Sequence, residues 1–245
     1  MICEEYECAN GGTVTIEKVI SGKKVLVSFS GDNSNSTYER DPYKVRNGKV
    51  KNKFKPSVYG VGFVGEGSFC TGCESYNTWK GIIKRCYCES STTYGIYGGA
   101  GVKVCDSWLN YQNFAAWYDE NKLSDSCCYN VDKDLLGGFE YSERTCALIP
   151  SDINRILNKQ KSKRGVMPIG VFHSSSTKNP YTAIISLSGK ARNLGVFKTE
   201  KDAFIAYKEA KEGLVKAESL KAFSMGFISE RTKTILDNFE VNIND

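Results

Sequence analysis

Apolar and polar positions alternate over residues 12 to 29: Val14 and Ile16 on one run, Val25, Val27 and Phe29 on the next, with Ser21-Gly22 between them. A period of two sends successive side chains to opposite faces, so this stretch predicts a β-hairpin with one buried face. The period then lengthens. Trp79, Ile82, Ile83 and Cys86 recur at helical spacing and predict a helix from Ser75 to about Tyr87, while Trp108, Tyr111, Phe114, Ala115 and Tyr118 line one face of a second. Between the two, Tyr97-Gly98-Gly99-Ala100-Gly101 carries too much glycine for either element and predicts a turn, followed by a short strand at Val102 and Val104. Strand-like runs return beyond residue 166, punctuated by Ser188-Gly189 and Asn193. After Thr199, a natural N-cap with Asp202 three residues on, Ala203, Phe204, Ala206, Tyr207, Ala210 and Leu214 form an apolar helical stripe. A further helix is predicted around Ser229 to Phe239.

At 245 residues with 40% hydrophobic content, the chain is large enough for two or three small domains. Its start, Met1-Ile2-Cys3-Glu4-Glu5, is acidic and carries no apolar stretch of the signal-peptide kind, and no run approaches the ~18 apolar residues of a membrane span. The expectation is an intracellular protein without a membrane partner, in which the ten cysteines are reduced thiols. Zinc is the minority reading. Cys70-Thr71-Gly72-Cys73 is a CxxC, but Cys86-Tyr87-Cys88 and Cys127-Cys128 lack that spacing and aim two thiols awkwardly at one ion.

A net charge of +5 says little until it is mapped onto the chain. From Lys159 to Lys198 there are eight basic residues and no acidic one, whereas Cys70 to Asn158 is net acidic. A local positive field of that kind suits phosphate neutralisation. A second basic strip, Arg40, Lys44, Arg46, Lys49, Lys51, Lys53 and Lys55, is opposed by Asp41 alone and reads equally as a solvated face. Gly60-Val61-Gly62-Phe63-Val64-Gly65 matches GxGxxG, but Glu66-Gly67-Ser68 continues as loop where a dinucleotide site needs a helix, so a Gly-rich linker is expected.

Trp79, Arg85-Cys86, Tyr97 to Cys105, Trp108, Phe114, Val131-Asp132-Lys133-Asp134, Tyr141-Ser142, Cys146 and Asn154 together resemble a branch of phage HNH-type endonucleases. The resemblance implies a ββα unit that holds one divalent metal, Mg²⁺ or Mn²⁺, and cleaves DNA. Carried over by position, Asp132 matches the metal-binding acid and Asn154 the asparagine that completes the site. Asp134, on the same side of the strand as Asp132 by alternation, offers a second carboxylate for a hard divalent metal. Lys133 stands where the family places its general base, a histidine. A lysine is protonated near neutrality and accepts no proton until burial or a positive neighbour displaces its own. Asp132 and Asp134 flank it with the opposite charge. The single histidine, His173, falls outside this segment and reads as an ordinary strand residue.

Ile169-Gly170-Val171, Tyr181-Thr182-Ala183, Gly189-Lys190, Leu194-Gly195-Val196-Phe197 and Ala203 through Ala210 resemble an AP2-type DNA-binding domain. That resemblance implies three antiparallel strands in the major groove of double-stranded DNA, braced by a helix. The DNA contacts expected are Lys178, Tyr181, Thr182, Lys190 and Arg192, with Lys163 and Arg164 arriving from the linker.

The predicted fold is therefore α+β: an SH3-like β-barrel over 1–57, a Gly-rich linker over 58–74, an HNH-like ββα domain over 75–158, an AP2-like domain over 159–218, and a helical tail over 219–245. Three function classes follow. The first is a DNA-binding protein of the HNH/AP2 homing-endonuclease class that cuts or nicks DNA; the second, a DNA-binding regulator that keeps the nuclease fold without catalysis. The third is a phage protein that binds host protein machinery.

Overall fold

The computed structural model describes residues 4–157, 167–187 and 189–243. The chain is α+β and divides into two compact units, residues 1–119 with 138–144, and residues 120–137 with 145–245. The division falls inside the segment 75–158 rather than at its ends.

In the first unit, β1 (Glu4–Glu7), β2 (Thr13–Ser21), β3 (Lys24–Phe29) and β4 (Tyr38–Arg40) form an antiparallel sheet in that order. The predicted alternation holds: Val14 pairs with Phe29 and Ile16 with Val27, and all four are buried together with Val25. The sheet is open, with β1 and β4 as its edges, and does not close into the expected barrel. The reason lies in the next residues. Asp41 accepts the N–H of Tyr43 and Pro42 opens α1 (Pro42–Arg46), so the chain turns into helix where a closing strand would have to start. Val45, Val50 and Phe54 then complete the core over the sheet.

The same unit holds α2 (Glu74–Tyr87), α3 (Asp106–Leu109) and α4 (Tyr111–Asn121), together with a parallel pair of short strands, β5 (Lys103–Val104) and β7 (Glu140–Tyr141). The apolar run from Trp108 to Tyr118 makes two helices, not one. Asn110 is extended, flanked by a bridge in which Phe63 N–H donates to Leu109 O and Tyr111 N–H to Phe63 O, both at 2.9 Å. Asn110 Oδ1 then accepts the N–H of Gln112 and starts the new helix. Trp79, Trp108, Tyr111 and Phe114 are fully buried, and the indole N–H of Trp79 donates to Trp108 O at 2.7 Å.

The second unit contains a ββα element. β6 (Tyr129–Asp132) pairs antiparallel with β8 (Ala147–Pro150), and α5 (Ser151–Leu157) follows directly. Then comes a three-stranded antiparallel sheet of β9 (Val171–His173), β10 (Tyr181–Leu187) and β11 (Lys190–Phe197), with β10 in the middle. The long helix α6 (Glu200–Ser224) packs on this sheet through Ala203, Phe204 and Tyr207 and on the ββα element through Val215 and Ala222. Thr199 caps it by accepting the N–H of Asp202. Gly170 makes the close approach possible: with φ +76°, any Cβ there would lie 2.0 Å from the Tyr207 ring. α7 (Glu230–Asp237) closes the unit, with Leu236 fully buried. Among the described residues no helix is long and apolar enough to cross a membrane.

Candidate nucleic-acid interface

Asp132 is the last residue of β6, and its carboxylate turns back onto the chain. Oδ1 accepts the N–H of Asp134 at 2.8 Å and of Leu135 at 3.0 Å, an Asx-type turn that sends the chain toward Gly137-Gly138. Burial pushes the Asp132 carboxyl above the usual carboxylate range against the pull of the Leu135 N–H, and the Asp134 charge adds to the rise. Because the strand ends at Asp132, alternation no longer carries Asp134 to the same side; its side chain is exposed in the turn. Lys133 is buried, 8% exposed, and its Nζ lies 2.5 Å from Asp134 Oδ1.

Asn154 lies on α5, and no side-chain hydrogen bond joins it to Asp132 or Asp134. The element is fastened elsewhere, where the Ser151 hydroxyl donates to Asn130 on β6. Both carboxylates have partners within the protein. One oxygen of Asp132 is engaged by two N–H groups, and Asp134 already holds the Lys133 ammonium. Among the described residues no group of three or more His, Cys, Asp or Glu side chains is placed to hold a metal ion. The thiols considered for zinc do not form such a group either. Cys73 bonds with Ser75 and Tyr111.

The register of the three-stranded sheet sorts its side chains by face, since directly paired residues share one. Ala183 pairs with Val171 and Gly195, and Tyr181 with His173 and Phe197; this is the face that α6 covers. On the open face Thr182 pairs with Phe172 and Val196, Ile184 with Asn193, and Ser186 with Ala191. A bulge between Ala183 and Ile184 adds a residue to β11, so Arg192 pairs with the buried Ile185 and belongs to the helix side of the sheet.

The expected DNA contacts are accordingly not one surface. Tyr181 is half-buried and its ring stacks on exposed His173 at 6.1 Å. Thr182 is on the open face but buried, its hydroxyl 3.0 Å from Gly195 O and 3.2 Å from Asn193 Oδ1, where it secures the bulge. Lys190 and Arg192 are exposed at the β10–β11 turn, while Lys178, also exposed, is in the loop at the other end of β10. Lys163 and Arg164 lie outside the described residues. What the sequence pattern missed is the open face itself, where Phe172 is 50% and Val196 45% exposed and no charged side chain stands among the paired positions. Alternation along β9 and β11 was the available signal, but the bulge reverses it within β11.

The two basic segments differ in how their charges are met. In the N-terminal strip Arg40 and Lys53 both pair with Glu66, Arg46 lies 3.8 Å from Glu4, and Lys55 donates to Asn10 O. Around the three-stranded sheet, Lys178, Lys190, Arg192 and Lys198 are exposed and none makes an ion pair with a described residue. Two stand at each end of β10, whose seven residues span roughly 20 Å.

No protein-family model, curated protein or solved structure matches the chain.

Proposed function

We propose that this protein binds double-stranded DNA through the cationic ends of its three-stranded sheet and does not cut it. The observation that carries this reading is the set of four exposed cations, Lys178 and Lys198 at one end and Lys190 and Arg192 at the other, none ion-paired among the described residues. Unpaired cations are the groups that release counterions from DNA phosphates. A separation of roughly 20 Å lets the two pairs reach the backbones on either side of a major groove about 12 Å wide, Lys190 and Arg192 from the turn at one end of the sheet. The antiparallel order of the strands and the bracing helix support an AP2-like assignment; β6, β8 and α5 in sequence support an HNH-like scaffold.

Absence of cutting rests on the Asp132 turn. A nuclease of this kind needs a free acid and a base, whereas Asp132 secures a turn and Lys133 is committed to Asp134. The test is duplex binding measured by fluorescence anisotropy over a series of salt concentrations, with supercoiled plasmid, Mg²⁺ or Mn²⁺, and EDTA controls in parallel. Binding should weaken steeply with salt, and Lys190→Ala with Arg192→Ala should make the log–log slope shallower by about 2, near 0.9 per phosphate contact. Unchanged affinity and slope in that double variant would remove the sheet as the DNA surface. Metal-dependent nicking lost in Asp132→Ala would overturn the non-cutting part alone.

A further inference from the structure

The loop that leads into α2 carries two thiols, Cys70 and Cys73, separated by a turn at Thr71-Gly72. A four-residue turn brings its end Cα atoms within about 7 Å, close to the span of a disulfide. The ends meet here: Cys73 Sγ lies 3.0 Å from the carbonyl oxygen of Cys70. Both thiols are free, Cys70 exposed and Cys73 half-buried.

The loop is held in place from α4. The Tyr111 hydroxyl donates to Cys70 O at 2.8 Å. Gln112 accepts the Phe69 N–H at 3.0 Å and donates to Phe69 O at 3.1 Å and Val64 O at 3.3 Å. Gly67 fits only because it lacks a side chain, since a Cβ would meet Gln112 Oε1 at 2.2 Å. Around the Cys73 sulfur stand Tyr111 Oη at 3.0 Å and Ser75 Oγ at 3.2 Å, themselves 3.0 Å apart. Burial raises the Cys73 thiol, but hydrogen bonds from the Ser75 hydroxyl and the Tyr76 N–H outweigh it and bring the thiol down to about 7. Burial leaves Cys8 and Cys105 raised instead. The thiolate is the attacking species in thiol–disulfide exchange, and a thiol titrating near ambient pH attacks best.

We propose that Cys73 and Cys70 form a redox-reactive dithiol that exchanges with low-molecular-weight disulfides of the glutathione type. The Cys73 thiolate attacks one sulfur of the disulfide, forming a mixed disulfide and expelling one glutathione thiolate. Cys70, as its thiolate, then attacks Cys73 Sγ, breaks the mixed bond and expels the second. Two cysteine thiols are oxidised to one intramolecular disulfide, glutathione disulfide is reduced to two thiols, and the two cysteine protons pass to the two glutathione thiolates. This site is independent of the DNA reading.

The test uses the full chain, reduced, with glutathione disulfide as the oxidant and peptide mapping to separate these cysteines from the other eight. The expected product is a Cys70–Cys73 disulfide, and Cys70→Ser should stop at a glutathione adduct on Cys73. Alkylation of Cys73 by iodoacetamide should rise with pH about a midpoint near 7, and Ser75→Ala, checked for folding by circular dichroism, should move that midpoint upward. A midpoint at the ordinary thiol value of about 8.5, or no linked peptide after oxidation, overturns the proposal. Protection of both thiols from alkylation until a chelator is added would overturn it in favour of a metal-binding pair.

Discussion

The carboxylate of Asp132 accepts the backbone N–H of Leu135 at 3.0 Å, three residues along the chain. With the Asp134 N–H at 2.8 Å this makes the acid the fastening of a turn, where its residue type and position resemble a metal ligand.

Removing that fastening has a structural cost. Asp132→Ala should destabilise the second unit by about 1–2 kcal/mol, the loss of a charged acceptor for two N–H groups, read as a fall in thermal midpoint. Asp132→Asn keeps an oxygen in place and should cost less. Loss of stability in neither variant would show that the turn forms without the side chain.

The same carboxyl sets a dependence on pH. Burial raises its folded pKa, so the folded state binds the proton more tightly than the unfolded chain. Its contribution is fully present below the unfolded value of about 3.9 and is lost as pH rises through the folded value. Asp132→Asn should therefore gain stability relative to the unsubstituted protein as pH is raised from about 3 to about 6 in denaturant titrations. A difference that stays flat or moves the other way would contradict the raised pKa.

Lys133→His places an imidazole at the position where the HNH-type resemblance expects a general base. Because Asp132 remains bound in the turn and Asp134 remains exposed, the variant should gain no metal-dependent nicking of supercoiled DNA. Nicking that appears with Mg²⁺ or Mn²⁺ and disappears with EDTA would show that the base alone was missing.

Lys211 stands in the buried stripe of α6 with Tyr207 and Val215, 8% exposed, and burial lowers its pKa. Lowering means the folded state binds the proton more weakly, so stability rises with pH as the unfolded lysine approaches its usual titration range. Lys211→Met should remove that rise and stabilise the protein near neutrality by on the order of 1 kcal/mol, since an apolar isostere needs no ammonium solvation. A destabilised Met variant would mean that the ammonium is satisfied in solution.

Thr182 separates a structural role from a DNA-binding one. Thr182→Val deletes the hydroxyl that meets Gly195 O and Asn193 Oδ1 and should cost about 1 kcal/mol of stability. Duplex affinity should stay within about twofold, less than 0.5 kcal/mol. A tenfold loss of affinity without loss of stability would place the hydroxyl on DNA.

Much of the fold is written locally. The alternation of Val14, Ile16, Val25, Val27 and Phe29, the spacing of Trp79, Ile82, Ile83 and Cys86, and the Thr199 cap are decided within a few residues of themselves, so element type and buried face follow from the sequence. The break at Asn110 was not legible, because it depends on a bridge to Phe63, 47 residues earlier. Lys211 was legible in spacing, four residues from both Tyr207 and Val215, but its charge hides it from an apolar pattern.

By itself, then, the sequence determined an α+β chain with a paired hairpin, strand-like runs beyond residue 166, a capped apolar helix after Thr199 and a basic stretch from Lys159 to Lys198, while three antiparallel strands were an implication of the resemblance alone. Only the tertiary structure decided where the candidate residues stand and what they touch. A bulge set Arg192 on the helix side of the sheet, a turn drew one oxygen of Asp132 onto the backbone, and Tyr111 met Cys73 from 38 residues away. Periodicity is a property of neighbours, whereas register, burial and hydrogen-bond partnership are settled by distant segments competing for the same space.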